Sequence, residues 1–220
     1  HGDIIVKQTL GNIDEGLKRF LGAAVFPVGL MLVVIAGAEL FTGNCLMTLA
    51  WFDRRISLGR LVRNWVLVYV ANLAGAVFCA WLVTSSGLYG TSAAPNDAGR
   101  LVISLAKSKV SLPFLALLLR GIGCNILVVL AVWLATAAES IVSKIFACWF
   151  PIMLFVLVGF EHSVANMYFI PAGMFLGADV TGIGFFIKNL LPVTIGNIIG
   201  GAVIIPGVYY LAYVLPDKKS

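Results

Sequence analysis

Two short polar segments interrupt long apolar runs in this 220-residue chain, and they hold the side chains best suited to chemistry. One is Glu39–Asn44 and the other is Glu161–Asn166. The second contains His162, whose imidazole is able to gain and lose a proton near neutral pH. A charged group at the centre of a bilayer costs about 2.5–3.5 kcal/mol on insertion scales, so such residues usually face a cavity. His162 is therefore a candidate for proton transfer inside a membrane pore.

The chemistry that these segments suggest is the neutralisation of a small anion. At a narrow point of a pore, His162 could protonate a weak-acid anion, so that the neutral acid crosses an apolar constriction. Thr42 offers a hydroxyl that could orient a small solute or the imidazole. Helix ends at the two interruptions present free N–H groups, which favour anions. The alternative is that His162 only bonds a backbone carbonyl in a packed core.

The composition requires that these segments lie in a membrane protein. The chain is 60% hydrophobic and 11% charged, with a mean hydropathy of +1.01. That charged share is less than half of the roughly 25% typical of soluble domains, so a wetted surface of the right size cannot form. We expect one polytopic domain over residues 1–220, whose net charge of +5 reflects loops at lipid headgroups rather than nucleic-acid binding.

Five apolar segments are long enough to span a bilayer as helices, the state in which no backbone group stays unsatisfied. Two of them exceed 30 residues, and each contains one of the polar segments near its middle, which predicts two broken helices. The predicted spans are Phe20–Phe52, Val62–Thr84, Leu112–Thr136, Ser143–Leu176 and Ile187–Leu215.

The spans form two copies of one pattern. Three crossings separate the two breaks, so the copies, at about residues 20–84 and 112–215, enter the membrane in opposite directions, as in inverted-repeat transporters. The span Leu112–Thr136 has no counterpart before the first break, and we therefore expect that a first transmembrane helix is missing from this chain. The matching motifs are Gly37-x-Glu39-x4-Asn44 with Gly159-x-Glu161-x4-Asn166, and Asn64-x7-Asn72-x2-Gly75 with Asn189-x7-Asn197-x2-Gly200.

Duplicated polar residues suit a structural task better than a catalytic one. We assign loop-structuring roles to Glu39 and Glu161, whose carboxylates could accept bonds from N–H groups freed at the breaks, and to Asn44 and Asn166. Asn125 has no duplicate, which makes it a candidate for pore lining. Lys109 either draws anions to the pore mouth or anchors its span at the headgroups. The cysteines show no ligand spacing, so we predict neither a metal nor another cofactor.

Three of these motifs resemble those of the formate/nitrite transporter family: Ala38–Asn44, Gly159–Met167 and Asn189–Gly201. The resemblance covers about Phe20 to Leu215. It implies an all-α, aquaporin-like bundle of six spans, five of them present here. It also implies a homopentamer with one pore per protomer, which passes small monovalent anions such as formate, nitrite and hydrosulfide.

The resemblance also implies positions for the pore residues. The family's central histidine corresponds to His162, its threonine to Thr42, its pore asparagine to Asn125 and its lysine to Lys109. Ala165 falls near the second of two hydrophobic constrictions. The residues implied are Leu40, Phe41, Phe155 and Val128 for one constriction, and Phe26 and Leu30 for the other.

The leading hypothesis is a channel or proton-coupled transporter of formate, with the bilayer, the anion and a proton as its partners. Nitrite or hydrosulfide is the alternative substrate, and an aquaporin-like facilitator of neutral solutes is the alternative class. An enzyme using His162 and Glu161 as acid and base lacks an evident nucleophile or metal, so we expect none. The Arg54–Arg63 cluster favours the cytoplasmic side of a cell membrane.

Overall fold

The computed structural model describes residues 2, 4 and 14–217 of the chain. These residues form helices and loops, and five of the helical segments are long and apolar enough to cross a membrane. The helices are α1 (Glu15–Val25), α2 (Val28–Ala36), α3 (Phe41–Asn44), α4 (Thr48–Phe52), α5 (Leu58–Ser85), α6 (Asp97–Ser111), α7 (Phe114–Ala137), α8 (Ile141–Val158), α9 (Ser163–Phe175) and α10 (Gly182–Val214), the last with three π-helical stretches.

Both predicted broken helices are present. The first consists of α1 and α2 before the break and α3 and α4 after it, joined by a 3₁₀ turn at Cys45–Met47. The second consists of α8 before the break and α9 after it. Each break begins at a glycine in the left-handed region, Gly37 at φ 79° and Gly159 at φ 82°. Residues with a Cβ atom rarely adopt this conformation, which explains why glycine stands at both positions.

Helix α6 is the element that the hydropathy pattern does not identify. It contains Asp97, Arg100, Lys107 and Lys109, so its sequence does not read as a span. Asn96 caps its first turn by accepting the N–H of Gly99 at 2.9 Å, and the helix packs against α9. It places Lys109 beside the second break.

Helix α7 lies at the centre of the second half and packs against α8 and α10. The contact with α10 is close, because a Cβ atom on Gly200 would lie 2.3 Å from the carbonyl oxygen of Ile122. At Gly75, the counterpart of Gly200 on α5, a Cβ atom would meet no heavy atom within 4 Å. Among the described residues, the first half thus has no helix packed as α7 is.

Candidate anion pore

The residue after each break starts the next helix with the same backbone geometry. Leu40 precedes α3 at φ −125° and ψ 120°, and His162 precedes α9 at φ −112° and ψ 118°. The two residues occupy equivalent positions in the repeat, 122 residues apart, as Glu39 and Glu161 do. The same backbone position therefore occurs in both copies of the repeat, and it is occupied by leucine in the first copy and by histidine in the second.

The same asparagine contacts hold both breaks in place. Oδ1 of Asn72 accepts the N–H of Phe41 at 2.9 Å, and its Nδ2 donates to the carbonyl of Glu39 at 3.0 Å. In the second copy, Oδ1 of Asn197 accepts the N–H of Ser163 at 2.9 Å, and its Nδ2 donates to the carbonyl of Glu161 at 3.1 Å. Each asparagine satisfies backbone groups that a broken helix leaves without partners.

The glutamates also bond to asparagines in both copies. Nδ2 of Asn44 donates to Glu39, and Nδ2 of Asn166 donates to Glu161 Oε2 at 2.7 Å. Both asparagine amides bond in addition to the first asparagine of the following helix, Asn64 at 2.9 Å and Asn189 at 2.8 Å. These contacts connect each break to the helix that follows it.

His162 and Thr42 join the two breaks. Nε2 of the imidazole lies 2.8 Å from Thr42 Oγ1, and both side chains are buried. The other ring nitrogen, Nδ1, accepts the N–H of Ala165 at 3.0 Å and so caps helix α9. Since Nδ1 accepts this bond, it carries no hydrogen, and the ring is neutral with its proton on Nε2. That N–H donates to the Thr42 hydroxyl.

Lys109 is paired with the glutamate of the second break. Its Nζ lies 3.0 and 2.9 Å from the two carboxylate oxygens of Glu161. The side chains are 16% and 7% exposed, so water screens this ion pair little. Glu39 is exposed and has no lysine or arginine partner among the described residues. The salt bridge thus distinguishes the two otherwise duplicated breaks.

Two cavities meet at His162. A polar cavity of about 230 Å³ lies on one side and contains the Lys109–Glu161 pair together with the cationic side chains of Arg19 and Arg120. An apolar cavity of about 190 Å³ lies on the other side. The residues that line both are Phe26, Phe155, His162 and Ala165. The boundary between a cationic chamber and an apolar one is therefore a pair of aromatic rings and an imidazole.

The aromatic rings of this boundary pack against one another. Phe26 meets Phe155 edge to face at a centroid distance of 5.6 Å, and Phe155 stacks on the ring of His162 at 5.8 Å. Leu30, Leu40 and Val128, which the resemblance assigned to two different constrictions, all line the apolar cavity.

Phe41 and Asn125 lie outside both cavities. The Phe41 ring packs on Tyr69 at a centroid distance of 4.8 Å. Asn125 is fully buried, and its Nδ2 donates to the carbonyl of Asn197 at 2.7 Å, which ties α7 to α10. A helix presents a residue to one face only, and the sequence did not show which face these two occupy.

Arg19 is a cavity residue that the sequence analysis did not single out. It belongs to α1, which begins five residues before the first predicted span, at Glu15. Asp14 caps that helix by accepting the N–H of Leu17 at 3.1 Å. The available signal was the basic pair Lys18-Arg19 at the start of an apolar run. Within the described part of the chain, no cluster of His, Cys, Asp or Glu side chains could hold a metal ion.

Comparison with known proteins gives matches over nearly the whole chain. The family described as formate/nitrite transporter matches residues 2–211. A probable formate transporter of Methanothermobacter thermautotrophicus is 50% identical over 212 residues, which cover 90% of this chain and 76% of that protein. The formate channel FocA of Escherichia coli K12 is 36% identical over 221 residues, 92% of this chain and 77% of that protein.

Solved structures match as well. A pentameric formate channel with formate bound superposes with a TM-score of 0.83 at 31% identity, covering 97% of this chain and 90% of that one. An ion channel of the same family superposes with a TM-score of 0.84 at 36% identity, covering 96% of this chain and 84% of that one. The folds therefore agree over all but a small part of this chain.

Proposed function

The chain belongs to the formate/nitrite transporter family, and we propose that it forms a membrane pore for small monovalent weak-acid anions, with formate as the leading substrate. Its relatives are channels and transporters, not enzymes. The observation that carries the proposal is the position of His162 between a cationic cavity and an apolar one. Formate is named as the substrate because a formate channel and a probable formate transporter are among the relatives.

Because one cavity is polar and the other is apolar, an anion must be neutralised by a proton before it passes from the first to the second. Cationic side chains attract an anion to the polar cavity, but an ionised carboxylate without partners is far costlier in apolar surroundings than a neutral acid. An anion that accepts a proton at the boundary crosses the apolar cavity as the neutral acid. It then releases the proton to water on the opposite side, so that one proton accompanies each anion.

His162 is proposed as the group that passes this proton. The negative charge of the arriving anion beside the ring stabilises an imidazolium. The ring therefore takes up a proton from water in the polar cavity. That proton must bind at Nδ1, which breaks the bond from the N–H of Ala165. A proton then leaves the ring for an oxygen of the anion, and the ring returns to its neutral form. Thr42 orients the imidazole through the bond to Nε2.

We also propose that the protein assembles as a homopentamer in the cell membrane, with the Arg54–Arg63 loop on the cytoplasmic side. The matched solved structure of a pentameric formate channel supports the assembly. The positively charged loop supports the orientation.

Uptake into proteoliposomes tests the function directly. Formate, nitrite, hydrosulfide, lactate and glycerol should be compared at two pH values, with empty vesicles as the reference. Uptake of the anions above that reference, fastest for formate and faster at the lower pH, supports the proposal. Uptake of glycerol alone would contradict it and favour a neutral-solute facilitator. If nitrite or hydrosulfide is taken up faster than formate, that anion replaces formate as the proposed substrate.

A further inference from the structure

Two arginines reach the polar cavity from different helices, and both are anchored to the second break. A Cβ atom on Gly159 would lie 2.9 Å from Nη2 of Arg19, so the Arg19 guanidinium lies directly over the backbone of the break. The carbonyl of Arg120 accepts the N–H of Glu161 at 3.2 Å. Both side chains line the cavity that also contains His162.

The charges of this cavity do not balance. Its charged side chains are three cations and one carboxylate, and that carboxylate belongs to Glu161, which is already paired with Lys109. Neither Arg19 nor Arg120 has an acidic partner among the described residues, whereas the exposed Arg100 pairs with Asp97. Two solvent-exposed arginines thus line the cavity without a counter-charge from the described residues.

The arginines also have no counterparts in the repeat. Residue 141, which stands 122 positions after Arg19, is isoleucine, and within the described residues no helix of the first half corresponds to α7, which carries Arg120. The polar side chains that hold the breaks occur in pairs, so a duplicated scaffold does not require these arginines. Their charge is added to the polar cavity and not to the apolar one.

We infer that Arg19 and Arg120 form a binding site for a planar monovalent oxyanion, a carboxylate of the formate type, at the entrance next to His162. Guanidinium groups bind planar carboxylates through paired N–H donors, a geometry that an ammonium group does not reproduce. The site holds the anion on the polar side of the Phe26–Phe155 boundary, where His162 lines the same cavity. This inference rests on the proposed function, since it assigns the step before protonation.

The test is formate uptake by the purified oligomer in proteoliposomes, at about 10 mM and about 150 mM salt, conditions that differ in electrostatic screening. For R19Q and for R120Q we expect KM at low salt to rise roughly three- to fivefold, the size expected for a partly exposed charge, with the maximal rate nearly unchanged. KM of the native protein should rise with salt, and this rise should be shallower in both variants. The R120K variant should retain the salt dependence but not the native KM.

The control is R100Q, which removes a charge on α6 outside the cavity and should leave KM unchanged. Benzoate, a planar carboxylate too large for the boundary, should inhibit uptake competitively in the native protein and more weakly in R19Q and R120Q. Native KM, native salt dependence and native benzoate inhibition in both glutamine variants would overturn the inference and leave the arginines as headgroup anchors. A native protein that conducts no anion would instead refute the proposed function.

Discussion

Nε2 of His162 lies 2.8 Å from Oγ1 of Thr42, so the two broken helices are joined by a direct hydrogen bond between residues 120 positions apart. The backbone N–H of Ala165 occupies Nδ1 at the same time. Both nitrogens of the ring are therefore engaged by the scaffold of the breaks. This relationship fixes the orientation and the tautomer of the side chain that we propose as the proton carrier.

Replacing Thr42 by valine should slow anion uptake while the fold is retained. The two side chains have similar shapes, but valine leaves the buried Nε2–H of His162 without an acceptor, a loss of about 1–2 kcal/mol. We expect a decrease of roughly fivefold or more in formate uptake by proteoliposomes. The matched control is Thr48→Val, because Thr48 is also buried and donates to the Cys45 carbonyl, away from His162. Equal rates for the two variants would show that the Thr42 hydroxyl is dispensable.

Replacing Glu161 by glutamine should destabilise the protein much more than the same change at Glu39. Glu161 is 7% exposed and paired with Lys109, and removing one partner of a buried ion pair costs about 3–5 kcal/mol. Glu39 is exposed and has no such partner within the described part of the chain. Thermal unfolding of the two variants in detergent measures the difference.

The double variant Lys109→Met/Glu161→Gln separates the ion pair from other effects. It should recover part of the stability lost in Glu161→Gln, since no charge is then left unpaired. Equal melting temperatures for Glu161→Gln and Glu39→Gln would mean that the pair with Lys109 contributes nothing.

Replacing Phe26 by alanine should widen the boundary between the two cavities. The ring contacts Phe155 edge to face at 5.6 Å and lines both cavities. We expect the ratio of lactate uptake to formate uptake to increase severalfold, because the larger anion gains more from the added space. Phe150→Ala is the control, since Phe150 is 57% exposed and lines neither cavity. An unchanged ratio in Phe26→Ala would place the size limit elsewhere.

The sequence predicted those features that depend on residue type and spacing. A broken helix in lipid must satisfy its free backbone groups. Glu39, Glu161 and the asparagines could therefore be identified as polar residues that recur at the same spacing within apolar segments. The same reasoning identified His162.

Features that depend on packing could not be predicted. The pairing of Lys109 with Glu161 requires helix α6, which is too polar to be found by hydropathy. The face on which Arg120 or Asn125 lies depends on how α7 rotates against α8 and α10, and one turn of a helix contains residues that point in every direction. The tautomer of His162 follows from one hydrogen bond, which its Nδ1 accepts from the backbone N–H of Ala165. No residue pattern in the sequence encodes that bond.

The central claim is that His162 passes a proton to the anion, and the variant His162→Asn tests it most directly. Asparagine is a favourable N-cap, so its side-chain oxygen is able to accept the Ala165 N–H and preserve the start of α9, but it cannot carry a proton at neutral pH. His162→Ala, which loses the cap as well, shows how much of any defect is structural.

The measurement is the simultaneous recording of formate uptake and internal pH in proteoliposomes that contain the native protein or His162→Asn. We predict that the native protein takes up one proton with each formate and that uptake increases as the external pH falls. His162→Asn should remain folded and oligomeric, yet lose most of this pH-dependent uptake. Native rates, proton stoichiometry and pH dependence in His162→Asn would contradict the account.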